Sequence, residues 1–460
     1  MIEKRNNRPN VWDRGDGKQH AAIHDFSRGY VDFLNQAKTE REAIDYVLQK
    51  AQEQGFMSLE AQNSVKSGDK LFVNQKGKLC ALIMVGQNMA DGFNLVVSHV
   101  DTPRLDLKPR PLYEADNMAL LKTHYYGGIK KYQWPAIPLA LHGVVVKKNG
   151  ERIKVCIGEK EDDAVLAITD LLPHLAKDQM EKKMNEGIKG EDLNIVVGSC
   201  PVQDLKEDAF KQHILNLLQQ QYGIEEDDFT SAELQAVPAF KAREVGLDRS
   251  MIGAYGQDDR VSAYTALEAV LNMKQPARTA VCLFADKEEI GSTGNTGLQS
   301  LALENITAEL LSKAGLTDYY QVRKTLAKSY ALSADVNAAV DPTFPDVFEK
   351  MNCSFVSAGV VLTKYTGSRG KADSNDANPE FVAAIRRLFD EENVVWQVGE
   401  LGKVDIGGGG TVAQYLARYG MEVVDCGVAV LSMHSPFEIV SKADVYMAYR
   451  AYQAFMEKMS

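Results

Sequence analysis

The chain has 460 residues, and its 52 basic and 63 acidic side chains give a formal net charge of −11. Hydrophobic residues make up 45% and charged residues 25%, a composition typical of soluble globular proteins and unlike that of disordered chains. The acidic excess argues against a general nucleic-acid binder and gives no affinity for anionic membranes. We therefore expect neither a nucleic-acid nor a membrane partner.

The sequence also favours a cytoplasmic location. The first ten residues are charged and lack the apolar core of a signal peptide, and the apolar stretch 134–146 is too short to span a bilayer. The six cysteines are far apart and form no C-x-x-C pair. This spacing indicates buried free thiols in a reducing compartment, and no cysteine-based zinc site.

The first hundred residues are predicted to form helices and then strands. Apolar residues recur at three- and four-residue spacings over 18–54, and the capping-box pattern at 39–42 restarts the helix there. Short apolar runs at 70–74 and 79–85 predict a hairpin. The buried-type strand at 93–97 then runs directly into Ser98-His99-Val100-Asp101.

The rest of the chain shows two different sequence patterns. Residues 105–245 combine strand-like pieces with charged, Gln-rich helical segments, whereas strands and helices alternate after residue 246. Such alternation predicts an α/β sheet covered by helices. The strands are expected at 279–284, 330–333, 394–398, 421–424 and 428–432, and the helices at 380–389, 411–419 and 443–459. We predict one catalytic α/β domain made from 1–104 and 246–460, interrupted by an inserted β-rich domain at 105–245.

Two of the eight histidines stand at places that suit a functional site. His99 and His434 each end a strand-like apolar run and precede a turn. Ligands in open α/β sheets bind at the carboxyl ends of strands. The other six histidines carry no acidic motif at ligand spacing, and a structural or exposed role is the simplest interpretation of each.

Three acidic clusters follow predicted strands or precede helices, and each has a plain structural alternative. Asp258-Asp259 could cap the following helix. Glu288-Glu289 could be a surface pair, and Asp335 could cap a turn. Crowded carboxylates, however, raise each other's pKa unless a cation compensates them. Histidine nitrogens and carboxylate oxygens are ligands that zinc accepts, and two bridged ions are typical of aminopeptidases.

Taken together, these motifs resemble the aspartyl aminopeptidase family of dinuclear-zinc metallopeptidases, specifically its bacterial branch. The resemblance extends over nearly the whole chain and implies a zinc-exopeptidase-like catalytic domain with an inserted dimerisation domain. The matching motifs are S-H-V-D-T-P (98–103), G-G-I (127–129), E-L-Q-A-V-P (233–238), Q-D-D-R (257–260), D-K-E-E-I-G-S (286–292), S-A-D-V-N (333–337), D-A-N-P-E (376–380) and M-H-S (433–435).

The resemblance implies a role for each residue of the constellation. His99 and Asp335 would bind one zinc ion, Glu289 and His434 the other, and Asp258 would bridge the two. Asp101 would orient His99, as carboxylates do for metal-bound histidines. Glu288 would be the general base; the choice between Glu288 and Glu289 comes from the family alone. Cobalt or manganese would be able to replace zinc.

Two departures from the family pattern affect the expected substrate preference. The stretch 128–134 lacks the histidine that eukaryotic members supply to a neighbouring subunit, and Ala338 stands where another family histidine would be. Both losses weaken the expectation of an acidic amino-terminal residue in the substrate. Lys131 could replace the missing histidine across an interface, and a plain surface lysine is an equal alternative.

Two further segments are candidates for binding substrate. Gly407–Gly410 leads into a predicted helix without the Lys-Ser/Thr of a phosphate-binding loop. As the resemblance suggests, we interpret Gly409, Gly410 and Thr411 as a loop that lets the substrate backbone approach closely, in preference to a pure packing role. Lys364 belongs to a basic loop that would suit an acidic side chain, although a solvated loop is the stronger alternative.

The sequence therefore predicts a cytoplasmic aminopeptidase that acts on peptides with a free amino terminus. The resemblance further implies a homo-oligomer, a tetrahedral dodecamer, in which the inserted domain serves assembly and shields the site. A related dinuclear-metal deacylase or carboxypeptidase is one alternative. A non-enzymatic self-assembling subunit is another, which the intact ligand set disfavours.

Overall fold

The computed structural model describes residues 10–460. Residues 1–9, for which the sequence predicts no signal peptide, lie outside the described part. Its α-helices are α1 (Val11–Arg14), α2 (Gly17–Gln36), α3 (Glu40–Glu53), α4 (Lys177–Met180), α5 (Met184–Gly187), α6 (Ala209–Tyr222), α7 (Gln257–Asn272), α8 (Ala302–Lys313), α9 (Tyr319–Ala327), α10 (Pro379–Glu391), α11 (Ala413–Ala417) and α12 (Lys442–Lys458). Its strands are β1 (Met57–Ser58), β2 (Lys70–Gln75), β3 (Leu79–Met84), β4 (Phe93–His99), β5 (Arg104–Ala115), β6 (Met118–Tyr126), β7 (Leu139–Val146), β8 (Arg152–Ile157), β9 (Ala167–Ile168), β10 (Ile195–Gly198), β11 (Ala232–Pro238), β12 (Arg243–Val245), β13 (Met251–Ala254), β14 (Thr279–Ala285), β15 (Tyr330–Ser333), β16 (Asn337–Ala338), β17 (Val360–Thr363), β18 (Trp396–Val398), β19 (Glu422–Gly427), β20 (Ala429–Leu431) and β21 (Glu438–Ser441).

The described chain divides into two units. The first contains the described residues up to Asp101, together with Ala242–Met433 and Glu438–Ser460. The second contains Thr102–Lys241 and the short segment His434–Phe437. The sequence places 434–437 in the catalytic part of the chain because the segment follows a predicted strand there.

A nine-stranded mixed sheet forms the framework of the first unit. Its strand order is β1-β2-β3-β14-β4-β15-β19-β17-β18. The four central strands, β14, β4, β15 and β19, run parallel to one another, so their carboxyl ends lie at the same edge. A separate five-stranded sheet, β12-β13-β21-β20-β16, also belongs to this unit.

Apolar side chains cover both faces of the nine-stranded sheet. On one face, residues of α2, α3, α7, α10 and α12 pack against strand residues such as Val96 and Leu332. On the other, residues of α8, α9 and α11 pack against residues such as Leu95 and Ala331. Adjacent strand residues point to opposite faces, and a strand buried on both faces is apolar throughout. This explains why the predicted central strands are continuous apolar runs.

Local capping decides where the helical region at 18–54 is interrupted. The Thr39 hydroxyl accepts a hydrogen bond from the Glu42 amide at 3.3 Å and begins α3. The Glu42 carboxylate accepts one from the Lys38 amide at 3.2 Å. Helix α11 is shorter than the predicted helix 411–419: it ends at Ala417, and a turn that reaches Gly420, whose φ of +83° is left-handed, follows it.

The second unit is built on a seven-stranded sheet with the order β8-β7-β11-β5-β6-β10-β9. A small apolar cluster that includes Leu141, Phe229 and Leu234 packs on it. The predicted fold class, mixed α/β in one unit and β-rich in the other, is confirmed. Across residues 10–460, no helix combines the length and apolarity needed to cross a bilayer.

The expectation that all six cysteines are buried is wrong for two of them. Cys156 and Cys200 are exposed, whereas the other four thiols are buried and free. Cys156 lies on β8, where only Val155 is buried, so its neighbouring position faces outward. An apolar run predicts a strand but leaves open which of its residues face the core.

Candidate metal centre

The parallel strands bring several of the predicted site residues to one edge of the large sheet. His99 ends β4 and pairs with Ala285, the last residue of β14. Ser333, the last residue of β15, pairs with Val97 of β4. The segments 286–289 and 333–335 therefore leave the sheet beside His99.

His99, Asp258 and Asp335 form one group of metal-ligating side chains. The Nε2 atom of His99 lies 3.2 Å from Asp258 Oδ1 and 3.7 Å from Asp335 Oδ1. One ligand atom from each of the three residues lies within 4.8 Å of the others. His99 and Asp258 are buried, so water does not screen their charges.

The hydrogen bonds of His99 show that this group requires a positive charge. Nδ1 lies 3.0 Å from the carbonyl oxygen of Asp101, which can only accept, so Nδ1 carries a proton. Nε2 then faces two carboxylates and needs either a second proton or a cation there. Burial alone would lower the pKa of His99, but the three surrounding carboxylates outweigh it and raise that pKa well above its ordinary value. A nitrogen and two carboxylate oxygens are a donor set that fits zinc.

Asp258 reaches the group from the other sheet of the first unit. It lies in the first turn of α7 just after β13, and Gly256, with φ +74°, precedes that helix. The Asp258 amide donates a hydrogen bond of 3.0 Å to Glu438 on β21. Gly256 is the N-cap of α7 as a whole, and Asp258 and Asp259 have non-helical backbone angles that mark a kink inside its first turn. The peptide bond between them is cis.

Asp101 holds the turn that carries Glu288 and Glu289. Its Oδ1 accepts a hydrogen bond from the Glu288 amide at 3.0 Å, and its Oδ2 accepts one from the Glu289 amide at 3.1 Å. Its Oδ1 also lies 3.3 Å from His99 Nδ1. Asp101 is fully buried. One carboxylate therefore fixes both the histidine and the turn.

Glu288 and Glu289 form a second potential metal group with His99, with one ligand atom of each residue within 4.8 Å of the others. Burial raises the pKa of Glu288 to about 8; His99 opposes this rise and nearby carboxylates add to it. A carboxyl group with a pKa near neutrality can both accept and release a proton. The surface-pair alternative for these residues is therefore not supported.

His434 is placed by the second unit. Its Nδ1 lies 2.9 Å from the carbonyl oxygen of Gly128, in the G-G-I motif. Because that oxygen can only accept, Nδ1 carries the proton and Nε2 keeps its lone pair for a ligand. Lys131 lies in the same unit, in a short 3₁₀ turn (Lys131–Gln133).

Comparison with known proteins identifies the family. The model of the family described as aminopeptidase I zinc metalloprotease (M18) matches residues 33–456. The chain belongs to the M18 family. A relative from Clostridium acetobutylicum, described as a probable M18 family aminopeptidase 1, is 49% identical over 453 residues, which cover 97% of each chain.

Solved structures agree with this identification. The crystal structure of an M18 aminopeptidase from Thermotoga maritima is 45% identical, covers 99% of this chain and 100% of its own, and superposes with a TM-score of 0.96. The yeast mApe1 dodecamer shares the fold, with a TM-score of 0.75, 21% identity, and coverage of 94% and 97%. The M18 chain is thus a zinc-dependent aminopeptidase, a hydrolase, and the predicted family and enzyme class are confirmed.

Three residues around the M18 site were not singled out from the sequence. Glu438 orients Asp258 as described above. The carboxylate of Asp259 accepts a hydrogen bond of 3.3 Å from the His99 amide. A Cβ atom added at Gly427 would lie 1.8 Å from the Asp335 carbonyl oxygen, so only glycine permits this approach. For Glu438 the available signal was an acid at the start of the apolar run of β21, and for Asp259 it was the adjacent pair of aspartates at 258–259.

The predicted substrate residues lie in two adjoining loops of the first unit. Gly409 accepts a hydrogen bond of 2.9 Å from the Gly367 amide. A Cβ at Gly408 would lie 2.1 Å from the Gly367 carbonyl oxygen, so close packing of the two loops accounts for a glycine at this position. Gly410 is exposed and Thr411 is buried. Lys364 forms an ion pair with Asp376, whose other oxygen lies 2.8 Å from Lys371 Nζ.

Proposed function

We propose that this aminopeptidase removes the first residue of peptides with Glu288 as the general base. The single observation that supports this role most strongly is the position of Glu288: its amide donates to Asp101, which also contacts His99, and its half-buried side chain offers a ligand atom within 4.8 Å of one of His99. In our proposal Glu288 takes a proton from the attacking water and delivers it to the amine that leaves as the peptide C–N bond breaks. The proton is returned, so Glu288 ends the cycle as it began.

We further propose that the site holds two zinc ions. His99 and Asp335 would hold one, Glu289 and His434 the other, and Asp258 both. When bound, zinc would lower the pKa of water and polarise the scissile carbonyl. The Nδ1 hydrogen bonds of the two histidines support these roles, because each leaves Nε2 available. Cobalt and manganese accept the same ligand types.

The proposed base is tested by Glu288→Gln. We expect kcat to fall by about 10²–10⁴ on aminoacyl anilides, because proton transfer is lost while the ligands remain. Metal analysis is expected to find the same zinc content as in the wild type. Glu391→Gln, at an exposed position, is the matched control and is expected to leave kcat unchanged. Wild-type turnover by fully metallated Glu288→Gln would show that Glu288 is not the base.

A substrate panel tests the reaction class and the preferred residue. Anilides of aspartate, leucine and lysine, each with a free and a blocked amino end, are compared with zinc, cobalt and manganese. We expect cleavage only of free amino ends. Cleavage of the blocked substrates would favour the deacylase alternative, and a strong preference for aspartate would show that the two missing family histidines are dispensable for acidic substrates.

We also propose that the chain forms a homo-oligomer in the cytoplasm, a tetrahedral dodecamer, with the second unit serving assembly. The yeast structure of the same fold is a dodecamer, which supports this arrangement for the chain. An enclosed assembly would admit peptides and exclude folded proteins. Native mass spectrometry of the full chain is expected to give twelve copies, and a monomer would contradict the proposal.

A further inference from the structure

Two side chains outside the metal group form hydrogen bonds with the turn that carries Glu288. Both donate a hydrogen bond to the carbonyl oxygen of Gly291: Gln299 Nε2 at 2.8 Å and the Tyr415 hydroxyl at 3.2 Å. Gln299 Nε2 also lies 3.4 Å from the Tyr415 oxygen. The two residues thus form one small cluster on a single backbone acceptor.

Gly291 ends the turn that displays Glu288. Its amide donates to the Glu288 carbonyl oxygen at 2.8 Å, and the Ser292 amide donates to that of Lys287 at 2.6 Å. Gly291 has a left-handed φ of +85°. Asp101 holds the amides at the start of this turn, and the Gln299–Tyr415 cluster holds the carbonyl at its end. The turn is therefore fixed at both ends.

Tyr415 connects this turn to the glycine-rich loop. It lies on α11, which begins two residues after Thr411. Burial raises the pKa of Tyr415, and the carboxylate of Glu288 adds to the rise, so the phenol stays protonated and donates. The helix that follows the proposed substrate loop is thereby tied to the turn of the proposed base.

We propose that Tyr415, together with Gln299, is a positioning residue that sets the place of Glu288 through Gly291. The proposal rests on the proposed function of Glu288. A small displacement of a catalytic group lowers the rate of the chemical step more than it weakens substrate binding. A shift of about 1 Å can lower that rate about 10²-fold. Loss of the Tyr415 hydroxyl is therefore expected to act on kcat.

The test is Tyr415→Phe in the full chain, with Tyr419→Phe as the matched control. Among the described residues, the Tyr419 hydroxyl makes no hydrogen bond with this turn, and Tyr419 lies four residues further along the chain. We expect kcat on a leucyl anilide to fall about tenfold in Tyr415→Phe with KM within about twofold and zinc content unchanged. Gln299→Ala is expected to do the same, and the double variant to lose more than either.

A second measurement does not depend on activity. Hydrogen exchange of the Gly291 and Ser292 amides, in metal-free protein, is expected to be faster in Tyr415→Phe and unchanged in Tyr419→Phe. Unchanged kcat and exchange, a rise in KM alone, or equal effects in Tyr419→Phe would overturn the proposal. If Glu288→Gln remains active while Tyr415→Phe still loosens the turn, the proposed base fails and the positioning contact stands.

Discussion

The strand ends of the large sheet and the loops at 364–376 and 400–411 differ in how they hold their polar side chains. At the strand ends, His99 and Asp101 are buried, and each has its hydrogen bonds fixed by the backbone or by the other. In the loops, Lys364 and Lys371 are exposed or half-exposed and share the carboxylate of Asp376. The comparison indicates that the candidate site residues are held by the fold, whereas the two loop lysines already share one carboxylate.

Of the changes that test this comparison, the largest effect on turnover is expected at Asp101, in the strand-end region. In Asp101→Asn, one oxygen that accepts an amide of the Glu288–Glu289 turn becomes an NH₂ group and faces another donor. We expect kcat/KM to fall about 10–100-fold, the range seen when partners of metal-bound histidines are lost. Asp91→Asn, on an exposed turn, is the control. Full kcat/KM in Asp101→Asn would mean that the turn is held without it.

The strand-end residues could be predicted from the sequence because their signal is local. A continuous apolar run predicts a central strand, and the polar residues that follow it lie at the carboxyl edge of the sheet. His99, Glu288, Glu289 and Asp335 were found in this way. The choice of Glu288 over Glu289 came from the family resemblance, because adjacent glutamates have no local feature that separates them.

The remaining contacts could not be predicted because their partners are distant in the sequence. Asp101 was expected to orient His99, but its bonds to the Glu288 and Glu289 amides depend on how β4 and β14 pair. Lys364 was assigned to substrate on its charge, and the ion pair with Asp376 depends on the fold of the loop. Tyr415 shows no chemical motif at all; its role follows from its distance to Gly291.

The next effect, on stability and not on turnover, is expected at Asp425, where the two regions meet. Asp425 is buried on β19, opposite Ser333 of β15, and Thr411 of the glycine-rich loop is also beside it. Burial raises the pKa of Asp425 to about 7, although the two hydroxyls oppose the rise. The folded state therefore binds this proton more tightly than the unfolded state, and this group's contribution to stability decreases as the pH rises through that pKa.

The measurement compares unfolding free energies of metal-free wild type and Asp425→Asn between pH 4 and pH 8. We expect the wild type to lose stability relative to the variant as the pH rises from about 4 to about 7, by at most about 1.4 kcal/mol per pH unit. Asp373→Asn, exposed in the loop, is expected to show no such trend. A pH-independent difference between wild type and Asp425→Asn would show that this carboxyl group is ionised throughout.

The smallest effect is expected from the loop charge at Lys364. In Lys364→Met, Asp376 keeps Lys371 as its partner, and an exposed ion pair contributes only about 0–1 kcal/mol. We therefore expect kcat/KM to change less than about twofold, and equally for aspartyl and leucyl anilides. Lys350→Met, at an exposed position, is the control. A loss confined to the aspartyl anilide would instead show that Lys364 leaves Asp376 to bind an acidic substrate, as its charge alone predicted. The contrast between strand-end residues held by the fold and loop lysines occupied by their own carboxylate would then not hold.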